Sequence, residues 1–154
     1  MVPSFVHLEC EDDTESLGQR LANGLEPGIL INLSGDLGSG KTTFVRGLLR
    51  GLGFYGRVRS PTFAIVEPYE QSRLFLYHFD FYRLNGSREL LDSGLLEMFG
   101  TDAVCVVEWP EKASGILPKA DMDIFFHIDR TGGRIASLDA NTSRGKRCLK
   151  AAFA

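Results

Sequence analysis

The apolar residues of this chain fall into two kinds of run. Short, nearly unbroken blocks occupy 29–33, 103–107 and 124–128. Blocks of that length suit strands buried on both faces, as in a parallel sheet. Between them lie stripes of helical period. Leu17, Leu21 and Leu25 recur every four residues. Phe44, Val45, Leu48, Leu49 and Leu52 line one side of a second helix. Leu90, Leu91, Leu95 and Met98 form the inner face of a third, over 87–99.

Turn and cap residues sharpen the boundaries. Residues 5–9 read as a short first strand. Asp12 or Asp13 is the expected cap of the helix that follows, and Pro27-Gly28 its expected end. Gly51 and Gly53 close the second helix. Ser87 is the expected cap of the third. Segments 62–69 and 74–82 are rich in β-branched and aromatic residues and read as strands. The short link Glu70-Gln71-Ser72-Arg73 predicts a hairpin between them. Arg130-Thr131-Gly132-Gly133 predicts a turn into a further strand at 134–138. From Asn141 the chain is polar and basic without a strong period, and reads as a loose helix or frayed end.

Strand blocks alternating with helical stripes predict an α/β fold: a central mixed, mostly parallel sheet flanked by helices, with a β-hairpin. A length of 154 residues fits one domain over 1–154, with 141–154 as its tail. No internal repeat or linker divides it.

Composition adds exclusions. With 44% hydrophobic and 24% charged residues, disorder across the chain is not expected. A net charge of -3 argues against a surface built mainly for nucleic acid, while leaving room for a local basic patch. Cys10, Cys105 and Cys148 are odd in number and lack a Cys-x-x-Cys spacing, so neither a disulfide scaffold nor a zinc site is expected. Cys105 lies in an apolar block and reads as a buried, inert thiol. No stretch approaches the length of a membrane span. The first ten residues lack the basic and apolar regions of a signal peptide. A cytoplasmic location without membrane contact is the expectation.

The chemistry begins at Gly35-Asp36-Leu37-Gly38-Ser39-Gly40-Lys41-Thr42, which fits Gly-x-x-x-x-Gly-Lys-[Ser/Thr] at every fixed position. A buried strand precedes it and an amphipathic helix follows, as a P-loop requires. Glycines let backbone N–H groups close around a polyphosphate without a Cβ in the way. The helix starting near Lys41 turns the positive end of its dipole on the phosphates. Lys41 is placed to reach the β- and γ-phosphates, and the Thr42 hydroxyl to ligate Mg²⁺. The fold class is thus a P-loop NTPase-like domain.

Such a domain needs an acid at the end of a neighbouring strand. Two qualify: Glu108 after Val104-Cys105-Val106-Val107, and Asp80 after Leu74-Phe75-Leu76-Tyr77-His78-Phe79. The residues alone do not say which holds the metal and which orients the attacking water. Thr62, in Ser60-Pro61-Thr62-Phe63, is either a switch threonine or a strand-start residue chosen for its branching. His78, in an aromatic strand, reads as a core or interface histidine before it reads as a base. Arg83 faces phosphate or pairs with Asp80, and Trp109 packs beside a nucleotide or caps the core. Arg57 and Arg59 read as solvated loop cations.

Together these segments resemble one family, the bacterial TsaE (YjeE) ATPases, which take part in making threonylcarbamoyladenosine on transfer RNA. The matching stretches are 33–46, Ser60-Pro61-Thr62-Phe63, His78-Phe79-Asp80-Phe81-Tyr82-Arg83 and Val107-Glu108-Trp109-Pro110-Glu111, in that order. The P-loop alone names only a superfamily; the three later stretches are the specific ones. The resemblance covers about residues 12–130 and implies ATP and Mg²⁺ as cofactors. It implies that Lys41 and the cradle, with Thr43, bind ATP and that Thr42 and Glu108 look to Mg²⁺. Thr62 becomes the switch-like threonine, Asp80 the catalytic or water-orienting acid, and Trp109 a nucleotide-side contact. It also implies a partner, the TsaD–TsaB pair. Ser39 stands where the family commonly has alanine. Direct contact with transfer RNA is left open, the overall acidity weighing mildly against it.

Rival readings are weaker. A GTPase would need Asn-Lys-x-Asp, which is absent; Asp129-Arg130-Thr131-Gly132 matches Asp-x-x-Gly only in an expected hairpin turn. A small-molecule kinase would need an arginine-bearing lid, and no segment suggests one. A nucleotide-dependent binding switch with negligible turnover overlaps with the main reading.

Overall fold

The computed structural model of the chain describes residues 2–70 and 73–154. Its framework is a sheet of seven strands among the described residues. In chain order these are β1 (Phe5–Leu8), β2 (Leu30–Ser34), β3 (Val66–Tyr69), β4 (Leu76–Asp80), β5 (Val104–Glu108), β6 (Met122–Ile128) and β7 (Arg134–Ala140). Their order across the sheet is β1-β7-β6-β2-β5-β4-β3. The four central strands β6, β2, β5 and β4 run parallel. The outer pairs β1–β7, β6–β7 and β3–β4 are antiparallel. The sheet is mixed, as expected, but its parallel part is confined to the centre, because both flanks are built from antiparallel pairs.

The apolar blocks at 29–33 and 103–107 became β2 and β5, the inner two of the four parallel strands. Their side chains alternate between two cores, as the period of a strand requires. Ile31, Leu33, Val104 and Val106 face a larger core with Leu21, Phe44 and Leu48. Leu30, Cys105 and Val107 face a smaller one with Phe79, Phe81, Leu90 and Phe99. The helices α1 (Glu11–Ala22), α2 (Lys41–Gly51) and α4 (Ser143–Ala152) contribute to the first core, and α3 (Ser87–Ser93) to the second.

Several local expectations are corrected. Cys10, not Asp12 or Asp13, occupies the cap position of α1. Asp13 instead reaches back from the first turn to accept the Glu9 amide at 2.9 Å. The helix ends at Ala22, before Pro27-Gly28, although Leu25 is still buried. The third helix stops at Gly94, whose φ of 78° ends the α-turns; a short 3-10 turn, Leu95–Met98, follows. Within α3, Leu90 faces the core and is buried, whereas Leu91 is exposed. Gly86, not Ser87, is the cap residue, and the Ser87 hydroxyl donates to the Ser114 carbonyl.

The strand expected over 62–69 begins only at Val66, because 62–64 form a turn. The hairpin between β3 and β4 is present, but Gln71 and Ser72 of its link lie outside the described residues. The chain after Asn141 is not frayed. Thr142 caps α4 by accepting the Gly145 amide at 3.1 Å, and Cys148, Leu149 and Ala152 are buried. No described helix is long and apolar enough to cross a membrane.

Candidate functional site

Each strand of the parallel centre delivers its carboxyl end to one edge of the sheet, where ligands of open α/β folds bind. β2 runs into the glycine-rich loop, and α2 leaves it at Lys41. Gly35 has a φ of 146°, and a Cβ there would lie 2.6 Å from the Phe126 carbonyl oxygen. Gly40 caps α2 with a φ of 107° and offers no side-chain acceptor to the first-turn amides. Those amides are therefore left for a ligand. Leu37 stands exposed at the loop's tip. Ser39 is buried, and its hydroxyl has no hydrogen-bond partner.

Lys41 is only 5% exposed. Its ammonium donates to the Gly35 carbonyl and lies 3.7 Å from the centre of the Trp109 ring. Burial pushes this ammonium below its ordinary value of 10.5, and Glu108, Asp80, Glu111 and Asp36 pull it part of the way back. A cation held this way, on one carbonyl and one ring face, gains from an anion arriving in the loop.

The two candidate acids are neighbours. β4 and β5 pair in parallel with Asp80 opposite Glu108, so both carboxylates end their strands side by side. Both are 3% exposed. Glu108 Oε2 accepts the Thr42 hydroxyl at 3.2 Å and lies 2.6 Å from His78 Nε2. Asp80 Oδ2 accepts the hydroxyls of Ser60 and Thr62, and its Oδ1 accepts the Tyr82 amide at 2.9 Å. Trp109 holds a left-handed backbone, φ 60°, and its ring sits 5.2 Å from that of Tyr82. A cavity of about 310 Å³ opens among Lys41, Thr42, Ser60, Thr62, Asp80, Glu108 and Trp109.

The donor set fits Mg²⁺. Thr42 and Glu108 bring a hydroxyl and a carboxylate together, the oxygen ligands a hard cation takes when phosphates and water complete its shell.

A second cavity, about 250 Å³, opens on the other side of the loop. Gly38, Gly40 and Thr43 form one wall, residues 9–11 and Thr14 another, and the β6–β7 turn at Gly132, Gly133 and Arg134 a third. The Arg134 guanidinium ties that turn to the loop, donating to the carbonyls of Gly132 and Gly38 at 2.6 and 2.9 Å. The sequence reading missed these groups because they join the loop only through the folding of distant segments.

The structure thus brings Leu37, Gly38, Gly40, Lys41, Thr42 and Thr43 together with Thr62, Asp80, Glu108 and Trp109 around one cavity, while Gly35, Asp36 and Ser39 belong to the loop but not to that cavity's wall. Others go elsewhere. The Arg83 guanidinium lies over the Phe63 ring, 4.2 Å from its centre, rather than against Asp80. His78 is fully buried behind Glu108. Arg57 and Arg59 line a separate cavity beside the turn at 61–64. Asp129 and Gly132 lie in the β6–β7 turn, where the Asp129 amide donates to the Gly133 carbonyl.

Comparison with known proteins gives a family and a fold neighbour. Residues 8–136 match the family of threonylcarbamoyl adenosine biosynthesis protein TsaE. Haemophilus influenzae tRNA threonylcarbamoyladenosine biosynthesis protein TsaE is 46% identical over 127 residues, spanning 82% of this chain and 79% of its own. The Bacillus subtilis protein of the same name is 41% identical over 121 residues, 79% of this chain and 74% of its own. The crystal structure of YdiB from Bacillus subtilis superposes with a TM-score of 0.85 at 30% identity, covering 99% of this chain and 96% of that one.

Proposed function

The chain belongs to the TsaE family, and from that premise we propose that it is a Mg²⁺-dependent ATPase serving threonylcarbamoyladenosine modification of transfer RNA. The observation that carries the ATPase reading is the meeting of Lys41 and Thr42 with Asp80 and Glu108 around one cavity on the glycine loop. The relatives' printed names supply the pathway, and the family resemblance supplies the TsaD–TsaB pair as working partner.

In this reading the loop amides hold the triphosphate, and Lys41 moves from the Gly35 carbonyl and Trp109 ring onto the β- and γ-phosphates. Adenosine takes the second cavity, against residues 9–11 and the turn at Gly132–Arg134. Thr42 and Glu108 would hold Mg²⁺, and the ion would supply positive charge against the phosphates. Asp80 orients the water that attacks the γ-phosphorus, and Thr62 closes on the metal side. The protein's contribution is placement and electrostatics, which carry most of the catalysis in phosphoryl transfer.

Hydrolysis by the isolated chain is slow in this reading. Ser60 and Thr62 both donate to Asp80 Oδ2, so that oxygen is engaged with its own loop. A partner that draws the 60–64 segment away frees it. This arrangement also favours the switch reading, in which ATP occupancy governs docking and turnover follows partner contact.

Calorimetry of ATP with Lys41→Ala tests the cradle: affinity falls at least about tenfold, the scale of one charge-assisted phosphate contact. Unchanged affinity would remove Lys41 from the site. Mass analysis of transfer RNA nucleosides from cells lacking the protein tests the pathway, and retained threonylcarbamoyladenosine without a redundant route would sink it. A phosphorylated acceptor, instead of ADP and free phosphate, would identify a kinase.

A further inference from the structure

His78 lies outside the cavity walls yet touches the acid that most concerns the metal. The period of a strand places Leu76, His78 and Asp80 on one face of β4, and the parallel register sets Asp80 beside Glu108. His78 therefore sits one step behind the two carboxylates. It has no exposed surface. Its Nε2 is 2.6 Å from Glu108 Oε2, and its Nδ1 is buried without a partner.

The hydrogen-bond arithmetic fixes the ring's role. An ionised carboxylate only accepts, so the nitrogen facing it must carry the proton. In the neutral ring Nδ1 is then bare, which leaves a lone pair and not a buried N–H without an acceptor. Ordering a buried side chain costs conformational freedom, and the polar ring retains one strong contact in return. That contact falls on the oxygen that also accepts Thr42. Two donors on Oε2, one from β4 and one from α2, fix the plane of the carboxylate and leave Oε1 touched by neither.

We propose that His78 is a positioning residue for Mg²⁺: its Nε2–H locks the Glu108 carboxylate in the orientation that receives the metal with the nucleotide. The inference rests on the nucleotide-site reading above. It gives His78 no contact with substrate and no proton to transfer. Partners one shell out from a metal typically change its affinity by roughly 10- to 100-fold.

The test separates donor position from polarity and packing. In Gln, the side-chain amide nitrogen stands as many bonds from the backbone as Nε2 does; in Asn it is one bond short. ADP is titrated calorimetrically into the full chain and into His78→Asn and His78→Gln, with Mg²⁺ and with EDTA. Native protein binds ADP in EDTA and more tightly with Mg²⁺. His78→Asn is expected to keep its affinity in EDTA and lose about tenfold of the Mg²⁺-dependent gain. His78→Gln keeps both. A full Mg²⁺ gain in His78→Asn would overturn the proposal, as would a loss in EDTA equal to that in Mg²⁺, which packing alone explains. Should His78→Asn not fold, His78→Ala, which removes the donor without adding bulk, takes its place: a full Mg²⁺ gain there overturns the proposal, as does loss of that gain in His78→Gln. Native protein that binds no ADP in either buffer would sink the nucleotide-site reading first.

Discussion

The three cysteines show how far burial governs single residues. Cys105 and Cys148 are buried in the two cores and Cys10 is exposed at the start of α1. Desolvation pushes both buried thiols from 9.0 up to about 12. The sign follows directly. The folded state favours the neutral thiol, so this contribution to stability is complete below pH 9 and is lost as pH rises toward 12. Since only the thiolate reacts, native protein at pH 8 is expected to react with one equivalent of a thiol reagent, at Cys10, and with three after unfolding. Fast modification of three in native protein would contradict the burial of the two cores. The Cys105 environment was readable from its apolar block; that of Cys148 was not, because a basic, polar tail hides its few inward positions. Asp80 and Glu108 were readable as strand-end acids, whereas the tie from Arg134 to Gly38 spans 96 residues and leaves no local signal.

Among elements, the seam between α1 and α2 is set by glycines. A Cβ on Gly47 would stand 2.1 Å from the Glu15 carbonyl oxygen, and one on Gly18 2.4 Å from that of Phe44. The helices meet at backbone distance, and Arg46 spans the seam to Glu11 and Glu15. Two effects oppose in Gly47→Ala. Helix propensity gains about 1 kcal/mol. Against that, rigid backbone must move, and overpacking costs about 1–3 kcal/mol or more. The contact is far inside any tolerated distance, so the clash wins. A lower urea midpoint is expected, with weaker nucleotide binding because α2 carries Lys41 and Thr42. An unchanged or higher midpoint would show that the helices separate freely.

Asp121 fastens the other end of the fold. It accepts the Leu30 amide at 2.8 Å and the Thr142 hydroxyl at 2.7 Å, and pairs with Arg144 at 3.3 Å. Burial alone would raise its carboxyl above the ordinary 3.8, but those three donors together hold it below. Its contribution is therefore present above about pH 4 and fades as pH falls through the lowered value. Asp121→Asn is expected to cost about 1–3 kcal/mol at pH 7, because it leaves a buried donor without its charged partner. The deficit should shrink in acid. A deficit independent of pH would assign it to packing. The α4 latch escaped the sequence reading because its period is short and its cap, Thr142, gains a second bond only from the distant Asp121. The central strands were legible because apolar blocks this dense fit few other places.

At the scale of the whole molecule, binding and stability are one equilibrium. The glycine loop joins β2 to α2, and Phe126 of β6 packs against Gly35. Arg134 adds a tie from the antiparallel flank. Unfolding of this framework must dismantle the site, so a nucleotide that binds only the folded chain stabilises all of it. At a free concentration 100 times Kd the linkage is about 2.7 kcal/mol. A domain of 154 residues shifts its Tm by roughly 2–4 °C per kcal/mol. Mg²⁺ with ADP at that concentration should thus raise the Tm by about 5–11 °C. Lys41→Ala at the same ligand concentration should fold with little change of its own, since its ammonium is desolvated and held by one carbonyl and one ring, yet show a much smaller rise. Equal rises in the two proteins would locate binding away from the glycine loop. A collapse of the unliganded Lys41→Ala fold would instead mean that the lysine braces the loop and Trp109 even without phosphate.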